Sequence, residues 1–201
     1  MINPVGEHSA PVAVSREISA PRRRSDATEV VDSRGTGIVL GELSTAARSR
    51  IAEILWGTRV FSREEIDVAL EVFDERGPDY LFLGAFTPEA VLVGYACWGP
   101  TPATDRTWDL YWIAVDTALQ GAGIGTILLD EIERRLTGHH ARMLIAETSS
   151  RADYAATRRF YARQGYTEAA RVRDYYAPGD DRILFVKRFL PLADGRGADS
   201  R

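Results

Sequence analysis

The chain has 201 residues, 45% of them hydrophobic, with a formal net charge of −4 and a pI near 5.5. That length suits one domain with tails, and the acidic balance argues against general nucleic-acid binding, which wants a basic face. No apolar run approaches a membrane span, no secretory signal pattern opens the chain, and Cys97 is the only cysteine, so no internal disulfide forms. These features together point to a cytoplasmic setting.

Residues 1–35 carry prolines, the run Arg22-Arg23-Arg24, scattered acids and no aromatic residue. Such a segment has little to bury and reads as a disordered tail. The end, from residue 191, reads as a second tail, leaving a domain over residues 36–190. "TGIVLGEL" (36–43) is the first strand and "STAARSRIAEILWG" (44–57) the first helix. "SREEIDVALEVFDERG" (62–77) opens with Ser62-x-x-Glu65, a capping box, and spaces Ile66, Leu70 and Phe73 along one face before Gly77-Pro78 stops it. "YLFLGAF" (80–86) and "AVLVGYACW" (90–98) form a hairpin, and "TWDLYWIAV" (107–115) a long aromatic strand. A glycine turn follows. It runs into a helix with Ile124, Leu128, Leu129, Ile132 and Leu136 on one face. "ARMLIAETS" (141–149) is a strand, and "ADYAATRRFYARQ" (152–164) a helix closed by Gly165. A final hairpin, 166–189, turns through Pro178-Gly179-Asp180-Asp181. The order β-α-α-β-β-β-α-β-α-β-β predicts a mixed α/β, α+β-like sheet covered by helices, with the middle β-α-β a right-handed parallel crossover.

The glycine turn, "DTALQGAGIGTILLDEIERR" from residue 116, places Gly121, Gly123 and Gly125 within five positions. A dinucleotide fingerprint fails because its third glycine falls on Thr126. A nucleotide P-loop fails because Gly125-Thr126 lacks the lysine. What remains is strand, short turn, helix N-terminus. The first amides of a helix have no partner within it, and the macrodipole adds partial positive charge there. Without β-carbons at 121, 123 and 125, an anion can approach those amides. An ordinary tight connection would need one glycine only.

Gln120-x-x-Gly123-x-Gly125, after a strand ending "IAVD", resembles the acetyl-CoA signature of the GNAT superfamily of N-acyltransferases. "TRRFYARQGY" (157–166) resembles the family's second hallmark, and the element order matches its fold over about residues 36–190. The resemblance implies a mostly antiparallel sheet with one parallel crossover, splayed at the acetyl-CoA site by a β-bulge in "WIAV". It implies that pantetheine bonds the backbone of Ile113, Ala114 and Val115. The pyrophosphate would then rest on the amides of Gln120, Gly121, Ala122, Gly123, Ile124, Gly125 and Thr126. Relatives often carry a basic residue within this loop, where Gly121-Ala122 stand here; Arg158 and Arg159 are the candidates to replace it by proximity in the family fold.

The implied reaction is direct attack of a neutral amine on the acetyl-CoA thioester, with no metal. Tyr161 matches the family's tyrosine that protonates the leaving thiolate. Asp109 or Glu147, each at a position where some relatives carry a glutamate, is the implied base. A carboxylate flanked by Ile145, Ala146 and aromatic strands would have a raised pKa. Tyr175 and Tyr176 resemble paired tyrosines that border the acceptor in protein N-terminal acetyltransferases. Cys97 reads as a buried structural thiol, His139 and His140 as exposed caps at a helix end, and one cysteine with three histidines makes no metal cluster. An α-amine (pKa about 7.7–8.0) is partly neutral at pH 7, unlike a lysine amine near about 10.4. Asp109, Glu147, Asp180 and Asp181 would attract a small cationic amine. The expected acceptor is a small-molecule amine or amino acid, with a protein N-terminus second and a catalytically silent acetyl-CoA-binding module as the reading from another class. The expected assembly is a monomer or homodimer, with no membrane partner.

Overall fold

The computed structural model describes residues 37–189. The expected tails and the Arg22–Arg24 run lie outside them. Seven strands, β1 (Val39–Gly41), β2 (Leu81–Phe86), β3 (Leu92–Pro100), β4 (Thr107–Val115), β5 (Met143–Ser149), β6 (Thr167–Ala177) and β7 (Asp180–Arg188), form one sheet in the order β1-β2-β3-β4-β5-β7-β6. Every neighbouring pair is antiparallel except β4 and β5, which α3 (Ile124–Gly138) joins as a parallel pair. The remaining helices are α1 (Arg48–Thr58), α2 (Arg63–Glu75) and α4 (Ala155–Arg163). The element order is the one the hydrophobic periodicities predict.

Two apolar clusters lie on the two faces of the sheet. Ile124, Leu128, Leu129 and Ile132 of α3 pack with Leu110, Leu144, Ala146 and, from α4, Tyr161. Ile51, Ile54 and Leu55 of α1 and Ile66, Leu70 and Phe73 of α2 pack with Tyr95, Cys97 and Trp112 on the other face. Strand β3, central and covered on both faces, is buried from Leu92 to Gly99, which is why its sequence is apolar throughout rather than alternating.

The capping box of α2 is formed. Ser62 Oγ accepts from the Glu65 amide at 3.2 Å, and Glu65 Oε2 accepts from the Ser62 amide at 2.7 Å. Ser62→Ala removes one half of this exchange. The expected cost is about 0.5–2 kcal/mol, read as a drop of a few degrees in thermal melting; an unchanged Tm would mean that α2 is held by its apolar face alone.

Candidate active site

The strand β4 is irregular at one residue. Cys97 pairs with Trp112 but Trp98 pairs with Leu110, so Tyr111 is an extra residue without a partner on β3. This is a β-bulge, one position ahead of the "WIAV" segment. It puts Tyr111 and Trp112, neighbours in sequence, into the same apolar cluster. Pairing of β4 with β5 ends at the same place, with Leu110 opposite Ala146. Beyond it β4 keeps pairing with β3 to Val115, and β5 keeps pairing with β7 to Ser149. The two parallel strands therefore part, and the far edge of β4 is open from Tyr111 to Val115, roughly 17 Å at the usual rise of a strand. A cleft of about 590 Å³ occupies the gap, within the range of small-molecule sites.

Ile113, Ala114 and Val115 form one wall of this cleft. The Val115 carbonyl accepts from Gln120 Nε2 at 3.2 Å. Asp116 anchors the turn that follows: its carboxylate accepts from the Ala118 amide at 2.9 Å and is paired with Arg50 of α1. That backbone bond, and then Arg50, hold the carboxyl below its ordinary range.

At the base of the cleft lie Gln120, Gly121, Gly123, Ile124, Gly125 and Thr126. Gly121 and Gly123 have φ of 84° and 90°, left-handed values that side chains disfavour. Gly123 is the N-cap of α3. The amides of Gln120 and Ala122 are spent within the turn, on Thr117 and Leu119 carbonyls, and Ala122 does not line the cleft. The amides of Gly121 and Gly123–Thr126 take no backbone partner, so the expected anion cradle narrows to these. Arg158 and Arg159 are not at it. Arg158 donates to the carbonyls of Ser149 and Arg151 at 2.6 and 2.8 Å, and neither side chain lines the cleft. The helical period instead brings Arg163 to the cleft, beside Gln164, whose amide donates to Thr126 Oγ1 at 2.8 Å. Counting one turn further along α4 would have found it.

Tyr161 lines the cleft from the α3/α4 face. Its ring is buried against Phe160, Tyr166 and Phe185 at centroid distances of 5.4, 5.5 and 5.7 Å, and burial pushes its phenol well up. Phe160, only half buried, lies against Gly125.

The carboxylates stand on the other face. Leu110, Leu144 and Ala146 belong to the α3-side cluster, so by strand alternation Asp109, Ile145 and Glu147 project to the α1/α2 side. Glu147 lines the cleft, and both its oxygens are engaged. Oε1 accepts from the Tyr176 hydroxyl, and Oε2 lies 2.5 Å from Arg182 Nη2. Arg182 was not among the expected site residues, and nothing in the pattern of "GDDRILF" marks it. Asp109 sits just before the strands part, paired with Ile145, and does not line the cleft. It accepts from Thr101 Oγ1 at 2.7 Å. Burial pushes the Asp109 carboxyl up, the Thr101 bond opposes that, and the charges of Glu147 and Arg182 act in opposite senses.

Tyr175 and Tyr176 lie in a wide bulge of β6, where Arg173–Tyr176 have only Asp181 facing them. Their rings meet edge to face at 4.9 Å. Asp180 and Asp181 do not face an incoming amine. Asp180 is buried and accepts from Ser149 Oγ. Asp181 accepts from the Asp174 amide at 3.1 Å and from Arg171 at 3.0 Å. Both shape the hairpin. Tyr154, also unforeseen, is buried and donates to the Val60 carbonyl at 3.1 Å, as Arg151 does at 3.3 Å. These bonds strap the α1–α2 loop to the start of α4.

Cys97 is buried, and desolvation alone pushes its thiol up. His139 and His140 are exposed at the end of α3. Among the described residues no group of His, Cys, Asp and Glu is arranged to hold a metal ion, and no helix is long and apolar enough to cross a membrane.

A sheet that unzips between two parallel strands, with a glycine-rich helix start at the base of the gap, offers an open strand edge and free amides to an elongated anionic ligand. The comparisons name the class. The model of the Acetyltransferase (GNAT) family matches residues 48–166. A GNAT-family structure from Desulfovibrio desulfuricans is 37% identical, covers 75% of this chain and 98% of its own, and superposes with a TM-score of 0.72. The ribosomal-protein-S18-alanine N-acetyltransferase of Escherichia coli shares the fold at 22% identity, with coverage of 82% and 99% and a TM-score of 0.64. So does the aminoglycoside 6'-N-acetyltransferase of Enterococcus faecium, at 16% identity, 77% and 99% coverage, and a TM-score of 0.63. An uncharacterized N-acetyltransferase of Methanocaldococcus jannaschii is 34% identical over 84 residues, 41% of this chain, and the match spans about half of that relative's length. The chain belongs to the GNAT family, acyltransferases that use acetyl-CoA as donor.

Proposed function

We propose that this protein transfers an acetyl group from acetyl-CoA to a primary amine by direct attack, and that the acceptor is a small-molecule amine or an amino acid. The observation that carries the reading is the parting of β4 and β5, because it lets groups from both faces of one sheet meet in one cleft. Tyr161 enters from the α3/α4 face and Glu147 from the α1/α2 face. The pyrophosphate rests on the amides of Gly121 and Gly123–Thr126, with Arg163 beside it, and the pantetheine arm runs along the open edge of β4 at Ile113, Ala114 and Val115.

The amine nitrogen, deprotonated, attacks the thioester carbon. The carbonyl oxygen becomes an oxyanion, held by a backbone amide of the open strand edge. Collapse breaks the carbon–sulfur bond, and Tyr161 gives its proton to the departing thiolate. The amine's own proton leaves toward Glu147 or Asp109, through water. With both its oxygens engaged, Glu147 chiefly orients that path, while burial raises the proton affinity of Asp109 above that of an ordinary aspartate. The α1–α2 loop, held by Tyr154, walls the cleft with Thr58, Val60 and Phe61, and a fixed wall there favours a small acceptor. The pair Tyr175–Tyr176 beside Glu147 supports a protein N-terminus as the second reading.

An amine panel tests this through release of free CoA thiol: monoamines, amino acids, polyamines, an aminoglycoside and a short peptide with a free α-amine. A small amine should give the highest kcat/KM, rising with pH as the amine deprotonates. Preference for the peptide would install the second reading. Saturable acetyl-CoA binding without turnover across the panel would leave a silent binding module.

A further inference from the structure

We propose that Arg182 is the positioning and specificity-determining residue of the acceptor end: it holds Glu147 and Tyr175 in place and sets the charge that an incoming amine meets. The inference rests on the transferase reading above.

Arg182 stands on β7, opposite Ser149 of β5 and Val172 of β6. Ser149, two residues from Glu147, shares its face of β5. One guanidinium makes three contacts there. Nη2 lies 2.5 Å from Glu147 Oε2, Nη1 donates to the Tyr175 hydroxyl at 3.3 Å, and the guanidinium carbon stands 4.9 Å from the Tyr175 ring centroid. A planar fork can serve a carboxylate, a hydroxyl and a ring face at once; an ammonium cannot. The pair is mostly enclosed, with side-chain exposures of 26% for Arg182 and 17% for Glu147. Breaking such a pair leaves an uncompensated charge.

The groups around Glu147 are Arg182 from β7, Tyr176 from β6 and Asp109 from β4, with Tyr111 next to Asp109. The acceptor end therefore sets Glu147, at the cleft, and Asp109, behind it, against one guanidinium. That balance suits an amine carrying one positive charge. Without Arg182 the two carboxylates would form a well for diamines and polyamines. Arg182 also acts on Asp109, whose pKa its charge lowers and that of Glu147 raises.

The test uses the full chain and three variants, Arg182→Gln, Arg182→Lys and Glu147→Gln, each checked for folding by thermal melting. Carboxyl-carbon NMR follows the Asp109 titration without need of turnover. Its midpoint should move up in Arg182→Gln, stay near wild type in Arg182→Lys and move down in Glu147→Gln. In steady-state kinetics, the kcat/KM ratio of a diamine to a monoamine should rise roughly tenfold in Arg182→Gln, the order expected of one charge at contact distance. The ratio should return in Arg182→Lys, while kcat stays low in both because lysine cannot hold Glu147 and Tyr175 together. Acetyl-CoA affinity should not change. An Asp109 midpoint alike in all proteins, or activity lost equally for every amine, would make Arg182 a packing residue. Should Arg182→Gln not fold, Arg182→Lys carries the test: a low kcat with the wild-type diamine ratio supports the positioning role, and a wild-type kcat overturns it. Should wild type turn over no amine, the transferase reading fails while the Asp109 midpoints still decide the charge role of Arg182.

Discussion

Tyr161→Phe should lower the single-turnover rate of acetyl transfer by roughly two to four decades, the usual contribution of general acid catalysis. The substitution keeps the ring that packs on Tyr166 and Phe185 and removes only the hydroxyl, so the fold and the Kd for acetyl-CoA should stay close to wild type. A loss confined to the transition state appears in kcat and kcat/KM alike. The raised pKa of Tyr161 has burial as its cause, which fixes the sign of its pH behaviour. A phenol pushed up stays protonated across the working range, so it is a competent donor at every neutral pH and contributes no alkaline fall in rate there. The same shift makes the phenolate costly, and transfer to the thiolate must be followed by fast reprotonation from the cleft. Single-turnover measurement matters because slow CoA release would mask the step. An unchanged single-turnover rate would return Tyr161 to the core and leave water to protonate the thiolate.

Gly121→Asp should weaken acetyl-CoA binding by tenfold or more, and Gly121→Asn should not. Gly123 is the wrong place for this test. Its φ of 90° at the helix N-cap makes any side chain a source of strain, so lost binding there would not speak to charge. Gly121 is also left-handed, but a β-carbon there meets no atom within 4 Å, and Asn and Asp are the side chains that tolerate that conformation best. The two variants share size and strain and differ by one charge beside the amides of Gly123–Thr126. A unit charge at about 4 Å is worth about 1 kcal/mol in water and about 4 kcal/mol near a protein surface, hence the expected factor, which added salt should shrink. Equal affinities for the two variants in calorimetry would mean that the pyrophosphate sits elsewhere.

Much of this molecule is legible along the chain. The capping box at Ser62, the helical stripe from Ile124 to Leu136 and the uniformly apolar β3 each report a local period, and local periods survive into the fold because each element buries its own apolar face. The glycine turn is legible for the same reason: its left-handed residues and helix start are properties of about six consecutive residues. The site residues that were misplaced are those whose role depends on a partner in another strand, helix or loop. Asp180 and Asp181 look like a charged lure on a hairpin tip. In the fold, Ser149, Arg171 and the backbone of Asp174 take up their oxygens. Arg158 looks like a phosphate ligand until two carbonyls claim it.

Residue order by itself determined the eleven-element alternation and the glycine-rich helix start, since each of these is written within one strand, turn or helix; Tyr161, Glu147 and Asp109 came forward only through the resemblance to the GNAT family. The resemblance implied an opening in "WIAV", and only the tertiary structure decided that it starts one position earlier, at Tyr111. A single extra residue at Tyr111 and the end of pairing at Leu110 and Ala146 are relations between strands, and no local pattern encodes a register shift. The same holds for Arg182, which is 35 residues from Glu147 in the chain and 2.5 Å from it in space. The charge of the acceptor end follows from that contact, because electrostatic balance is set by distance through the fold and not by distance along the chain.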